Sequence, residues 1–396
     1  MKIYFHTFGC KVNQCDTALM SSLAAVAGAK IAMPESADVI IINSCSVTGS
    51  ADKKARQFIR SFQRINPSAK IFCTGCYATR APEELKKSFP DVKFFNNSQK
   101  KNITNILGIK NCCCDSRGDR RNFLDHTRAF IKIQDGCDGR CAYCVVPKVR
   151  SEMWCKMPSD VVSEAKEYVT GGCREIVLCG IRLGKYSWPA KKGIIGLTDL
   201  LKELDKIDGL YRIRLSSIDF AEISEELIDF MACSNKMCRH LHISLQSGDD
   251  ETLRHMRRPY NTDLFIEKIE SIRKKIPDVG ITTDVIVGFP TETEANFENS
   301  YKFIQKCAFS RLHVFKYSPR PGTEAVSMKP VYSRAEIETR TESMKRLDSQ
   351  LRKNFLAKFK GRKMAVLTES NGHGYTSNYI YMKVPAGIPE NKIIIL

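Results

Sequence analysis

The chain has 396 residues, enough for two or three domains, and its 43% hydrophobic and 27% charged content is that of a globular protein and excludes disordered classes. No stretch reaches the roughly 18 to 20 apolar residues of a membrane span, and the opening MKIYFHTFGC lacks the apolar run of a signal peptide. Lys and Arg number 62 against 44 Asp and Glu, and this net charge of +18 points to a polyanionic partner, most simply nucleic acid.

Over residues 1–110 strand-like and helix-like patterns alternate. KIYFHTF at 2–8, VIIINS at 39–44 and KIFCTG at 70–75 are short β-branched or aromatic runs. Helical patterns follow them at 14–28, 50–65 and 81–88, the last opening near Pro82. This alternation predicts a parallel α/β sheet. Cys10, Cys45 and Cys76 each fall just past one of the three strands. The carboxyl ends of parallel strands share one edge, where ligands bind and helix N-termini stabilise thiolates. Three distant cysteines on one rim predict one metal site with three ligands.

The 17 cysteines, in a chain without an export signal, predict a reducing compartment, the cytoplasm, and thiols or metal ligands in place of disulfides. Residues 111–128 are polar and charged and predict a linker; its adjacent Cys112, Cys113 and Cys114 are poorly spaced for one tetrahedral site.

From 129 to 332 six strand-like runs follow: 130–134, 175–179, 212–216, 241–245, 282–287 and 311–317. Helical patterns intervene, among them 159–170 opening at Ser159, 224–232 at Ser224 and 262–275 at Thr262. Six βα repeats are too few for a closed eight-fold barrel, so the expectation is an open, partial (β/α)6 barrel with its chemistry at the strand carboxyl ends. Just past its first strand lies a C-x3-C-x2-C of Cys137, Cys141 and Cys144. A structural zinc takes four ligands, and no fourth Cys or His has matching spacing. Thiolates on one short loop suit an iron–sulfur cluster, whose open iron can bind a second molecule. Cys173, Cys179, Cys233, Cys238 and Cys307 lack a partner spacing and read as small buried hydrophobes, while Cys155 has no assignment. TDVIVGFPTET at 283–293 resembles a ligand turn after a strand.

Residues 333–359 predict a basic amphipathic helix, and 360–396 short strands with Gly and Asn turns. Between Lys345 and Lys363 stand eight Lys or Arg and one acid, Asp348, a stripe suited to RNA, with Tyr375, Tyr379 and Tyr381 available to stack on bases. No Walker loop, Ser-His-Asp order or H-E-x-x-H is present, and the seven histidines are scattered and carry no assignment.

The C-x3-C-x2-C after the first strand of a partial barrel resembles the signature of the radical S-adenosylmethionine (SAM) superfamily. With three dispersed cysteines upstream, the chain resembles the methylthiotransferases of that superfamily end to end. TFGCKVNQCD at 7–16, LHISLQSGDDETLRHMRRPY and HVFKYSPRPGTEA are similar to the branch acting on N6-threonylcarbamoyladenosine in tRNA. The resemblance implies a [4Fe–4S] cluster on Cys137, Cys141 and Cys144, whose open iron binds the methionine amine and carboxylate of SAM. It implies an auxiliary [4Fe–4S] cluster on Cys10, Cys45 and Cys76, and two SAM per product. The positions matching SAM contacts are Tyr143, Gly180, Gln246, Ser247, Asp284 and Gly288. No catalytic acid or base is expected, because the adenine C–H to be replaced is neither acidic nor a good electrophile, and the radical chemistry must come from cofactors.

An electron donor such as flavodoxin or ferredoxin is implied. The C-terminal β module resembles the TRAM RNA-binding domain, and with Arg352, Lys353, Lys358, Lys360, Arg362 and Lys363 it would grip the tRNA that offers its anticodon loop. The family usually shows a glycine and several arginines after Pro147, where this chain has Arg150 followed by Ser151 to Lys156; Phe220 replaces a usual proline, and the TRAM-like module is short. Two alternatives stay open: a methylthiotransferase acting on isopentenyladenosine tRNA or a ribosomal protein, and a non-catalytic RNA-binding protein with structural metal sites.

Overall fold

The computed structural model describes residues 1–109, 127–191, 193–370 and 372–396. Most of the expected linker, with Cys112, Cys113 and Cys114, lies outside the described residues.

Strands β1 (Lys2–Thr7), β2 (Lys30–Ile31), β3 (Val39–Ser44), β4 (Lys70–Gly75) and β5 (Lys93–Phe94) form one parallel sheet in the order 2-1-3-4-5. β3 is buried along its whole length, as expected of a central parallel strand covered on both faces. Its alternation splits the core in two: Ile40 and Ile42 pack with Ile59 and Phe62, whereas Val39 and Ile41 pack with Ile3, Met20 and Phe72. Covering the sheet are α1 (Lys11–Val26), α2 (Gly49–Ile65), α3 (Cys76–Arg80), α4 (Pro82–Ser88) and α5 (Ile103–Leu107). The strand order reverses between β1 and β3, the switch point at which open α/β sheets bind ligands. Helix α1 begins at Lys11, earlier than its apolar periodicity indicates, because the turn at Cys10 already points the chain into it. β2 and β5 are two-residue edge strands, too short to leave a periodic signal.

The second sheet system begins at β6 (Arg128–Lys132). A two-residue pair, β7 (Gln134–Asp135) and β8 (Trp154–Cys155), pinches the base of the C-x3-C-x2-C loop, which contains the short α6 (Val146–Val149). Then come α7 (Pro158–Thr170), β9 (Glu175–Cys179), a hairpin of β10 (Ser187–Pro189) and β11 (Ile194–Gly196), and α8 (Leu197–Asp205). β12 (Arg212–Leu215) and β13 (Ser217–Ile218) are separated by Ser216 alone, and α9 (Glu225–Cys233) and β14 (His240–Ile243) follow. The rest is α10 (Asp250–His255), α11 (Thr262–Lys275), β15 (Gly280–Val287), α12 (Glu294–Cys307) and β16 (Arg311–Lys316). The strands run parallel as β6-β9-β12 and β13-β14-β15-β16, the expected open barrel of six strands if β12 and β13 count as one. Outward residues such as Ile131, Ile176, Leu178, Ile213, Leu241 and Val285 build one large core under the helices. By the period of two, Arg128, Glu175, Arg212, Arg214, His240, His242 and Asp284 fall on the opposite, inner face. The caps differ slightly from expectation: Asn261, one residue before Thr262, accepts from the Leu264 N–H.

Helix α13 (Arg334–Ala357) opens with a Ser333–Glu336 capping box and buries Met344, Leu347, Leu351 and Phe355, a stripe at helical spacing. β17 (Ala365–Glu369), β18 (His373–Thr376), β19 (Tyr381–Lys383) and β20 (Ile393–Ile395) form an antiparallel sheet in the order 19-18-17-20. This sheet docks at the amino-terminal ends of the barrel strands. Arg212 donates to the carbonyls of Tyr375 and Ala365, at 2.9 and 2.7 Å, and Arg214 to those of Ser377 and Thr376, at 3.1 and 3.2 Å. Tyr379, at φ 69°, stacks on His240 with centroids 4.5 Å apart and lies under Arg214 at 4.8 Å. Tyr375 and Tyr379, read from sequence as platforms for bases, are therefore engaged in docking; Tyr381 is exposed. Two cysteines read as buried differ as well: Cys233 is exposed and Cys173 half-buried. Among the described residues no helix is long and apolar enough to cross a membrane.

Candidate active site

The first thiol group stands at the switch point. Cys10 precedes α1, Cys45 follows β3, and Cys76 opens α3. Two glycines shape the turns: Gly9 at φ 122° and Gly75 at φ 94° adopt backbone that other residues rarely accept. A Cβ on Gly9 would stand 2.8 Å from Cys45 Cβ, and one on Gly75 would stand 2.2 Å from the Ser44 carbonyl oxygen. Burial pushes the Cys45 thiol up to about 12, and the neighbouring Cys76 and Cys10 add to the rise. Cys10 is exposed on one side, yet packing on its other sides raises its thiol too, against the nearby Arg150. Cys10 and Cys45 are thus each raised by the nearby Cys76. Asn97 Nδ2 lies 3.8 Å from Cys76 Sγ and donates to the Val149 carbonyl at 2.9 Å.

The second group occupies the loop at the carboxyl end of the first barrel strand. The loop is held by backbone contacts: Cys137 N–H to Arg150 O at 3.0 Å, Ala142 N–H to Met256 O at 3.1 Å, and Ala325 N–H to Ala142 O at 2.8 Å. Burial pushes the Cys144 thiol up to about 12, with Cys141 and Cys137 raising it further. Two donors already point at sulfur: Gly139 N–H reaches Cys137 Sγ at 3.3 Å, and Arg258 Nη1 reaches Cys141 Sγ at 3.3 Å.

The two groups are neighbours. Cys76 packs against Val145 and Val149, and Val145 is the residue after Cys144. Arg150 forms the centre of the join: it donates to Asp135 at 2.7 and 2.8 Å and, across the interface, to Asp16 at 2.7 Å and Asn13 at 2.8 Å. Lys100, at 2.8 Å, and Lys132 complete the shell around Asp16. Burial alone would push the Asp16 carboxyl up, but Lys100, Lys132 and Arg150 together hold it well below the usual carboxylate range. On another side Asp52 takes Arg80 at 2.8 Å and Arg320 at 2.6 Å, while the Gly49 N–H reaches Ser318 Oγ at 2.9 Å. A cavity of about 720 Å³, lined in part by Asp16, Asn97, Lys132, Arg150 and Trp154, borders this join.

The donor chemistry fits iron–sulfur clusters. Each group is three thiols beside cationic or N–H donors, with glycine turns that leave room at the sulfurs. Among the described residues no three His, Cys, Asp or Glu side chains are placed to share one metal ion; thiolates bound to different irons of one cluster need not be.

Two family models match the chain: the Uncharacterized protein family UPF0004 over residues 2–96 and the Radical SAM superfamily over residues 131–304. The threonylcarbamoyladenosine tRNA methylthiotransferase MtaB of Bacillus subtilis is 35% identical, over 96% of this chain and 89% of its own. Its Thermotoga maritima counterpart is 36% identical over 93% and 86%. A tRNA-2-methylthio-N(6)-dimethylallyladenosine synthase of Endomicrobium trichonymphae is 34% identical over 83% and 79%. The chain belongs to the radical SAM tRNA methylthiotransferases. The cofactors of this family's chemistry are SAM and iron–sulfur clusters. The fold is shared more widely: a solved radical S-adenosylmethionine methyltransferase, TsrM of Kitasatospora setae, superposes with a TM-score of 0.61 at 12% identity, over 82% of this chain and 77% of that one.

In this methylthiotransferase most of the positions matching SAM contacts gather at the carboxyl ends of the strands. Tyr143 packs with Met256 and Phe289, one residue past Gly288. Gln246, at φ 71°, donates its backbone N–H to Asp284 O at 2.9 Å, and Ser247 beside it is buried. The Asp284 carboxylate lies 3.1 Å from His242 Nε2, deeper in the barrel. Gly180 faces Gln134, whose Oε1 accepts the Arg182 N–H at 2.7 Å. Gly288, at φ 74°, donates to the buried Glu292, whose carboxyl burial pushes up to about 7.

Sequence reading misses Asp16, Arg150, Asn97 and Arg258. Arg150 stands in the run that departs from the family pattern, and Arg258 in the HMRRPY stretch, so both are conspicuous in the sequence yet have no role there. Asn97 leaves no signal, because its partners Cys76 and Val149 are set by folding alone.

Proposed function

We propose that the protein 2-methylthiolates N6-threonylcarbamoyladenosine beside the anticodon of tRNA. One [4Fe–4S] cluster would sit on Cys137, Cys141 and Cys144 and a second on Cys10, Cys45 and Cys76, with two SAM consumed per product. The observation that carries this reading is the adjacency of two thiol groups, one on the switch-point rim and one at the barrel mouth, tied by the Arg150–Asp16 contact at 2.7 Å. The activities for which the Bacillus and Thermotoga relatives are named support the substrate. Held by Cys137, Cys141 and Cys144, the barrel cluster would supply an electron for reductive cleavage of SAM, and held by Cys10, Cys45 and Cys76 the auxiliary cluster would supply the sulfur.

The chain's own residues bind, orient and exclude water. Tyr143, Gly180, Gln246, Ser247, Asp284 and Gly288 would seat SAM. The buried networks at Asp16 and Asp52 fix the two rims against each other, so that the adenine ring reacts in a protected space. Arg352, Lys353, Lys358, Lys360, Arg362 and Lys363 would hold RNA phosphates; all are exposed, and Arg362 also pairs with Asp278 at 2.6 Å. The working division is 1–110 for the auxiliary-cluster domain, 111–128 for the linker and 129–332 for the barrel, followed by the basic helix 333–359 and a TRAM-like module at 360–396. A flavodoxin- or ferredoxin-class protein in the cytoplasm would deliver the electron.

The test is nucleoside mass spectrometry of tRNA after anaerobic incubation with reconstituted protein, SAM and reductant. A methylthio product on threonylcarbamoyladenosine tRNA, and none on dimethylallyladenosine tRNA, is the expected result. The Endomicrobium relative makes the second tRNA the natural control. Product on the control alone would reassign the substrate and keep the chemistry.

A further inference from the structure

Arg258 is a buried cation with its geometry fully specified. It follows α10 in a tight turn at whose start Arg257 takes φ 59°, and the Arg258 N–H closes that turn on Leu253 O at 2.9 Å. Its side chain is only 6% exposed. Nη2 meets Asp219 Oδ2 at 2.6 Å and Nε meets Tyr260 Oη at 3.0 Å. Tyr260 in turn donates to the carbonyls of Ser244 and Leu245, at 2.8 and 3.0 Å. Phe220 packs against Tyr260 with ring centroids 4.7 Å apart and planes tilted by 55°, so the residue that departs from the family's proline helps to wall this corner. With one edge of the guanidinium fixed in this way, Nη1 points at Cys141 Sγ, 3.3 Å away. The same turn holds the cysteine loop through Met256 O and the Ala142 N–H, so donor and sulfur are locked in register.

We propose that Arg258 acts through Cys141 to set how readily the barrel cluster accepts its electron. The proposal rests on reading Cys137, Cys141 and Cys144 as that cluster's ligands. One-electron reduction adds negative charge that spreads onto the thiolate sulfurs. A buried guanidinium donating to one of them stabilises the reduced form more than the oxidised form, and so raises the potential. Asp219 offsets part of that positive charge while it aims the guanidinium. Arg258 is thus a positioning and tuning residue, and Lys could replace its charge but not its fork.

The test uses the full chain carrying Cys10→Ala, Cys45→Ala and Cys76→Ala, so that one cluster forms, reconstituted anaerobically without SAM. Iron and acid-labile sulfide are counted first. The midpoint is then followed by electron paramagnetic resonance during titration with dithionite, with Arg258, Arg258→Lys or Arg258→Met in place. At equal iron content, Arg258→Met is expected to lower the reduced-to-oxidised ratio at fixed potential about tenfold, a shift of ~59 mV for a one-electron couple. Arg258→Lys should recover part of it. An unchanged midpoint in Arg258→Met overturns the proposal. If Arg258→Met holds no iron, Asp219→Asn decides: it removes the offsetting charge and should raise the midpoint, and a midpoint that does not rise counts against Arg258. Absence of iron and sulfide with Arg258 in place would instead overturn the cluster reading, and this inference with it.

Discussion

At the base of the barrel Glu175 is fully buried and accepts from Arg214 at 2.7 and 3.3 Å, while Arg212 and Arg214 give other N–H groups to backbone carbonyls of the C-terminal sheet. At the mouth the buried Asp16 and Asp135 are likewise ringed by Lys100, Lys132 and Arg150, but the groups beside that network are thiols with few donors directed at them. Both ends use buried ion pairs to fasten one part of the chain to another. At the mouth the cysteines come in threes, and burial and the neighbouring thiols raise Cys45 and Cys144, whereas at the base Cys238, beside Arg214 and Glu175, is raised to about 12 by burial and by Glu175. A ligand that takes three thiolates would relieve that arrangement, and it is the grouping of the cysteines that distinguishes the mouth from the base. The base is therefore read as structural and the mouth as chemical.

The largest expected effects break that contrast at the thiols. Cys144→Ala should abolish reductive SAM cleavage, measured as 5′-deoxyadenosine formation. Cys45→Ala should abolish methylthiolation while leaving cleavage detectable. Full product formation by the Cys45 variant would remove it from the mechanism. Glu175→Gln, at the other end, should leave iron content and cleavage by the folded protein near those of the parent.

Next come the ion networks themselves. Asp16→Ala leaves Lys100, Lys132 and Arg150 crowded without their shared carboxylate and should cost roughly 3–5 kcal/mol by denaturant unfolding. The sign of its pH dependence is fixed by the depressed carboxyl. A depressed group contributes stability above its unfolded value, about 3.9 for Asp, and loses that contribution as pH falls through the folded value. Acidification below about pH 4 should thus destabilise the parent, while Asp16→Asn, which lacks the titrating group, should show a shallower acid loss. Equal slopes would mean that other carboxylates control acid unfolding.

The fold was largely legible because parallel strands buried on both faces leave unbroken apolar runs, as in VIIINS, and the helices between them leave clear periodicity. The cysteines were legible because topology places strand carboxyl ends on one rim whatever the side chains do. What held the rims together was not. Asp16 lies 134 positions from Arg150, and Asp52 lies 268 from Arg320. Neither pair has a spacing, since such contacts are fixed by how two sheets dock. Tyr375 and Tyr379 were misread for a related reason, Tyr381 alone of the three being exposed: an aromatic on a short strand or its turn looks alike whether it faces solvent or, like Tyr379, an arginine and a histidine of the barrel base.

The smallest expected effect sharpens the contrast at the surface. Arg352, Lys353 and Lys358 project from the end of α13 and the turn after it, with the apolar stripe of Leu351 and Phe355 turned away into the protein. Replacing each by Ala should change stability by no more than about 0.5 kcal/mol, because exposed charges outside ion pairs contribute little, Lys358 at the C-cap of α13 included. Each phosphate that the protein no longer neutralises should instead reduce the slope of log affinity against log salt by roughly 0.7 to 0.9. Three such phosphates therefore flatten the tRNA slope by roughly 2 to 3, with SAM cleavage in the absence of tRNA unaltered. Arg362 is left out of the set because its pairing with Asp278 would mix a docking effect into the binding effect. A triple variant with the parent's salt slope would move the RNA surface elsewhere, and the exposed Tyr381 face beside His373 would then be the next to test, by substitution with Ala.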